Sequence, residues 1–180
     1  MRAIKITLRH LADQIKIRLV ASKIEFNTQL EQVTFTFPSS FDVDSKVSLH
    51  VEFTGTLNDR MAGFYRSSYS DAHGNKKFMA STQFEATDAR KAFPCWDEPA
   101  LKATFDITLN VDSNLTALSN MNVVDEKTIQ VNGKALKAVK FAKTPIMSTY
   151  LVAMVRFHHR RRNLYYDSDI VNRLLVNWNT

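Results

Sequence analysis

One cysteine stands among 180 residues. Cys95 has no partner for an intrachain disulfide, and a zinc site built on several cysteines is excluded. This leans the chain towards a reducing, cytoplasmic setting. Glycine and proline are sparse, four of each, and the glycines are isolated. Neither a Gly-rich phosphate loop nor a G-x-S-x-G nucleophile elbow can be built from them. Long apolar runs are also missing. The longest is Tyr150–Val155, far short of the ~20 residues that span a bilayer. The opening MRAIKITLRHLADQIKIRLVA is broken by charges throughout, so neither a signal peptide nor a membrane partner is expected.

What is present suits one globular domain. The chain is 44% hydrophobic and 11% aromatic, enough to bury a core and too apolar for disorder. The net charge of +6 is unevenly spread. Half of the excess lies in Val155–Thr180, where Arg156, Arg160, Arg161, Arg162 and Arg173 face only Asp167 and Asp169. Elsewhere acids and bases nearly balance, so nucleic acid is not expected as a partner of the whole chain. Binding of nucleic acid or another acidic surface through Arg160–Arg162 alone is a separate functional reading.

Alternation dominates the pattern. Val47, Leu49, Val51 and Phe53 fall on one face of KVSLHVEFT, and Ala103, Phe105, Ile107 and Leu109 on one face of KATFDITLN. Period 2 over such lengths predicts half-buried antiparallel strands. Further strands are expected at Ile4–Leu8, Gln14–Val20, Val33–Phe37, Lys77–Gln83, Thr128–Val131, Leu136–Phe141 and Thr149–Val155. Asn132-Gly133 between two of them signals a type I′ hairpin, and His73-Gly74-Asn75 a second turn. Only Thr87–Ala92 reads as helical, capped by Thr87 or Asp88 and stopped by Pro94. The expectation is an all-β fold with one short helical insert.

Few side chains are arranged for chemistry. The five histidines form no HExxH pattern. His50 and His73 read as solvated, and the adjacent His158 and His159 point in different directions. Cys95, between Pro94 and Trp96, reads as a packing residue. One stretch fits no period: TQFEATDARKAFPCWDEP, Thr82–Pro99. Its acids Asp97 and Glu98 could form a catalytic pair. The plainer reading has them cap backbone amides or pair with Arg90 and Lys91.

LNDRMAGFYRSSY (Leu57–Tyr69), STQFEATDARKAFPCWDEPALKATFDITL (Ser81–Leu109), LSNM (Leu118–Met121) and TPIMSTYLVA (Thr144–Ala153) follow one another in this order. Together they resemble the amino-terminal domain of zinc aminopeptidases of the puromycin-sensitive and aminopeptidase N type. Clear similarity covers Leu57–Ala153, and Val33–Thr56 fits more loosely. The resemblance implies a saddle-like, mostly antiparallel β-sandwich preceding a catalytic domain. It also implies that the T-Q-x-E segment faces the active site, with Gln83 on the pocket for the substrate's first side chain and Glu85 on its free α-amine. A terminal ammonium ordinarily titrates at ~7.7–8.0, and a fixed carboxylate favours and orients its charged form.

The family's G-A-M-E-N motif and its HExxH with a distal Glu are absent from these residues. The chain is therefore expected to be a truncated, partial aminopeptidase, holding no zinc and not hydrolysing aminoacyl substrates alone. The zinc would belong to the full-length enzyme, the substrate would be a peptide amino terminus, and the missing catalytic domain would be a partner. A non-enzymatic β-sandwich interaction module is the alternative. Residues 1–155 are expected to form the domain, incomplete at its start because the family's opening strands are not recognisable in Met1–Glu31. The basic residues 156–180 read as a tail outside the β core, ending in at most a weak amphipathic helix over Leu164–Leu175.

Overall fold

The computed structural model describes residues 2–10, 18–71, 73–160 and 163–165. Thirteen strands are found among these residues. The first five are β1 (Arg2–His10), β2 (Arg18–Val20), β3 (Lys23–Asn27), β4 (Gln32–Thr36) and β5 (Val47–Thr54). Then come β6 (Gly63–Ser70), β7 (Lys76–Gln83), β8 (Thr108–Asp112) and β9 (Leu115–Ser119). The last four are β10 (Val123–Val131), β11 (Lys134–Phe141), β12 (Met154–Arg160) and β13 (Asn163–Tyr165). All pairings between these strands are antiparallel, and the only helical pieces among the described residues are two 3₁₀ turns, Ala89–Lys91 and Thr149–Leu151. The fold is all-β.

The strands form separate sheets, ordered β2-β1-β5, β10-β11-β8 and β13-β12-β7-β6, with β9 added beside β12 and β3-β4 as a lone hairpin. The core lies where the faces of β8, β9, β11 and β12 meet, together with Phe84, Ala89 and Phe93. Phe93, Phe105, Phe141, Val111 and Val139 are its largest fully buried apolar side chains. Each contributes roughly 1.5–3 kcal/mol by leaving water.

Both hairpin signals hold. Asn132 and Gly133 have φ of 50° and 79° and join β10 to β11. Both angles are the positive values that a type I′ turn demands. In the second turn the Asp71 carboxylate accepts the His73 and Asn75 N–H groups, each at 2.9 Å, and Gly74 takes φ of 79°.

Four expectations need correction. First, the opening residues do supply a partner strand. β1 runs along the whole of β5, from Arg2 opposite Thr54 to His10 opposite Val47, and β4 pairs with β3. The strand expected at Ile4–Leu8 is thus longer than its alternation showed, and it takes the place of the opening strand that the motif pattern did not reveal. Second, the run Ala103–Leu109 is mostly not ladder. Ala103 bridges Met147, Phe105 exchanges bonds with Thr144, and regular pairing begins at Thr108. The inward face persists nonetheless: Ala103, Phe105, Ile107, Leu109 and Val111 are all buried.

Third, Thr149–Val155 is not one strand. Ser148 Oγ donates to the Pro99 carbonyl at 2.6 Å and Thr149 Oγ1 to the Trp96 carbonyl at 3.0 Å. These bonds turn the chain into a 3₁₀ turn, and strand pairing starts only at Met154. Fourth, the basic run enters the sheet. β12 continues to Arg160, with β9 along one side and β7 and then β13 along the other. Arg156 is 1% exposed and Phe157 5%. Charge at these positions signalled solvent, yet a central strand is covered on both sides. The expected helix falls outside the described residues, apart from Asn163–Tyr165, which form β13.

Candidate functional site

β7 places the two residues singled out for substrate binding. Its last residue, Gln83, lies opposite Gly63 of β6 and is exposed, Phe84 is buried, and Glu85 is exposed again. The alternation sends Phe84 inward, where its ring meets Phe93 edge-on at 5.8 Å. Gln83 and Glu85 are left on the open side. Strand geometry ends there. The Glu85–Ala86 peptide is cis, and the Asp88 N–H closes the turn by donating to the Phe84 carbonyl at 2.8 Å.

The turn leads into Ala89–Lys91, whose side chains hold it to neighbouring loops. Asp88 makes no side-chain cap; its carboxylate takes Lys91 Nζ at 2.6 Å instead. This hydrogen bond and the charge of Asp88, helped by that of Glu31, raise the Lys91 pKa above its ordinary value. Asp97 supplies what a cap would have. Its Oδ2 accepts the Arg90 backbone N–H at 3.1 Å and Nε–H at 3.0 Å, and Arg90 Nη2 donates to the Asp97 carbonyl at 3.1 Å. The plain reading of Asp97 as a partner of Arg90 is met; Glu98 is exposed, and Lys91 pairs with Asp88 instead.

Gly63 was not picked out from the sequence. It has φ of +72°, and a Cβ there would sit 2.8 Å from Lys91 Cβ and 3.4 Å from the Asp88 carbonyl. A lone glycine at a strand end is the sequence sign of such close approach. Asn120, within LSNM, was also missed. Its Nδ2 donates to the Leu151 carbonyl and its Oδ1 accepts the Ala153 N–H, both at 2.8 Å. An amide side chain satisfies both groups where the 3₁₀ turn gives way to β12.

Burial, then the negative charge of Asp97, pushes the half-buried Cys95 thiol up to about 12, which suits a packing residue rather than a nucleophile. A cleft of about 450 Å³ lies between the β3-β4 hairpin and Ala89–Lys91, lined by Phe26, Glu31, Arg60, Arg90 and Lys91 among others. It includes neither Gln83 nor Glu85, and two of its cations are already engaged by Asp97 and Asp88. Among the described residues no three His, Cys, Asp or Glu side chains gather as metal ligands. No helix among them is long and apolar enough to cross a membrane.

Comparison with known proteins gives the arrangement its setting. The chain is 56% identical over 128 residues to a puromycin-sensitive aminopeptidase of Caenorhabditis elegans, covering 71% of this chain and 13% of that protein. It is 62% identical over 108 residues to aminopeptidase M1-A of rice, covering 60% of this chain and 12% of that protein. With aminopeptidase 2 of Candida albicans it shares 44% identity over 154 residues, 83% of this chain and 16% of that protein. The chain thus spans about an eighth to a sixth of the length of these relatives. The family model for the Peptidase M1 N-terminal domain matches residues 2–151, which include the β1-β5 pairing, the whole Thr82–Pro99 segment and its anchor at Ser148 and Thr149. The chain belongs to the Peptidase M1 N-terminal domain family, the amino-terminal part of zinc-dependent aminopeptidases.

Proposed function

We propose that this domain is the substrate-recognition wall of a cytoplasmic zinc aminopeptidase, which removes amino-terminal residues from peptides. Glu85 binds the free α-ammonium of the substrate, and Gln83 lines the pocket for its first side chain. One observation carries the reading. Both side chains are exposed at the end of β7, on either side of the buried Phe84 that pins the strand end to the core. A charge-assisted hydrogen bond from an ammonium to such a carboxylate is worth roughly 1.5–3 kcal/mol. Zinc and the general base belong to the rest of the enzyme, and residues 1–155 supply the domain. The single cysteine, kept as a thiol, suits a reducing compartment.

A second reading, a non-enzymatic interaction module, draws on exposed apolar side chains near the same segment. Trp96, Leu101, Ile146 and Leu151 are 46–71% exposed, on two loops tied together by the Ser148 and Thr149 bonds. The two readings meet if this surface packs against the catalytic part of the enzyme. A chimera tests the first: the matching stretch of the C. elegans relative is replaced by this chain's residues, and kcat/KM is measured on an aminoacyl anilide. Glu85→Gln is expected to lower kcat/KM by about 10–150-fold. Unchanged kinetics in a folded, zinc-loaded variant would reduce Glu85 to a surface acid and leave the interaction module as the better account.

A further inference from the structure

We infer that Asp97, acting through Arg90, is the positioning residue that fixes the Glu85 turn, and that Gly63 is the spacer that lets the turn close against β6. The inference rests on the proposed role of Glu85 and asks what holds that carboxylate in place. Glu85 lies beyond the last paired residue of β7, so no ladder bond aims it. An exposed turn of this kind is mobile unless its ends are tied.

Three ties are present. Phe84 at the start of the turn is fixed by burial against Phe93. Arg90 at the far side is fixed by Asp97, whose side chain is 3% exposed while that of Arg90 is 29% exposed. A buried carboxylate needs its charge and lone pairs answered. The Arg90 backbone N–H and Nε–H answer Oδ2 together, so the bond clamps the main chain of the 3₁₀ turn as well as its side chain. Asp97 is itself held, because the carbonyls of Trp96 and Pro99 on either side of it accept Thr149 Oγ1 and Ser148 Oγ. The path runs from the entry of β12 through Trp96–Pro99 and Arg90 to Glu85.

Gly63 supplies the third tie from the opposite direction. It is the cross-strand partner of Gln83 and lies against Lys91 and Asp88. Any side chain there would push the 3₁₀ turn away from β6, the strand paired with the one that carries Gln83. How closely the turn that follows Glu85 seats against β6 is thus set by a residue outside the two proposed substrate contacts. Positioning groups act in this way because a shift of about 1 Å at a binding contact can cost a hundredfold.

The test begins with the full 180-residue chain. In Asp97→Asn, amide hydrogen exchange over Phe84–Ala92 should accelerate about tenfold or more, while β10 and β11 keep wild-type rates. Arg90→Lys should recover part of the protection that Arg90→Ala loses. Acceleration spread over every strand, or none at all, would overturn the inference. If Asp97→Asn does not fold, the partly exposed Arg90 and Gly63→Ala give the same comparison. The second arm uses the chimeric aminopeptidase with leucine hydroxamate and its des-amino analogue as inhibitors. Asp97→Asn should weaken only the amine-bearing inhibitor, by about five- to tenfold, a split that general destabilisation would not produce. Equal loss for both inhibitors, or for neither, rejects the positioning role. Glu85→Gln in the same assay separates the two claims. If it leaves the ratio unchanged, the proposed function fails; if it collapses the ratio and Asp97→Asn does not, only this inference fails.

Discussion

β5 and the run Ala103–Val111 carry the same alternation, yet only the second lines the core. Every inward position of the second, from Ala103 to Val111, is at most 6% exposed. On β5 no residue is buried, and Val47 is 39% exposed. The contrast extends along the chain, since none of the residues from Leu19 to Ala62 is buried and Gly63 is the first buried one after Leu19. Period 2 reports a face suited to cover. Whether cover arrives depends on what the chain folds across it. Ala103–Val111 lies against β9, β11 and β12 in one cluster, whereas β5 meets that cluster only through Phe53.

A matched pair of truncations separates the two faces most strongly. Phe105→Ala, at a position 0% exposed, should cost about 3–5 kcal/mol, read as a large drop in the denaturant midpoint. Val47→Ala should cost under about 1 kcal/mol, because much of the group already meets water. Similar losses at both sites would mean that the face of β5 is covered in solution. A second probe lies beside the core. With its thiol pushed up to about 12, Cys95 should react with iodoacetamide at pH 8 on the order of a thousandfold more slowly than a free thiol of ordinary pKa about 8.5. Rapid labelling under native conditions would show that the Trp96 loop opens readily.

Smaller effects sharpen the picture at the periphery. Gly133→Ala meets no steric obstacle but must hold φ of +79°, so a loss of about 1 kcal/mol is expected from backbone strain alone. The smallest effect concerns pH. Arg66 grips Asp59 through two bonds of 3.0 Å, and this hydrogen bonding holds the Asp59 carboxyl below its ordinary pKa. A lowered carboxylate pKa stabilises the fold above the unfolded value and loses that contribution as pH falls through the folded value. The melting difference between wild type and Asp59→Asn should therefore be constant above about pH 5 and shrink in more acidic solution. A difference that persists at about pH 2, below the range where such a carboxylate stays ionised, would point to a contact other than the ion pair.

The sequence by itself determined the class of the fold, the Asn132-Gly133 hairpin and the segment that holds the candidate site. Those features are local: alternation fixes which side chains share a face, and a type I′ turn admits few residues at its two positive-φ positions. The resemblance in TQFEATDARKAFPCWDEP supplied Gln83 and Glu85, because a motif keeps order and spacing even where periodicity is lost. Tertiary structure alone decided that Arg156 is buried, that β1 pairs with β5, that Ser148 and Thr149 break a strand, and that Gly63 meets Lys91. Each of these joins residues far apart in the chain or depends on what lies on both sides of a strand. Local pattern carries no information about either, since a charge at a strand position reads as solvent until the neighbouring strands are in place.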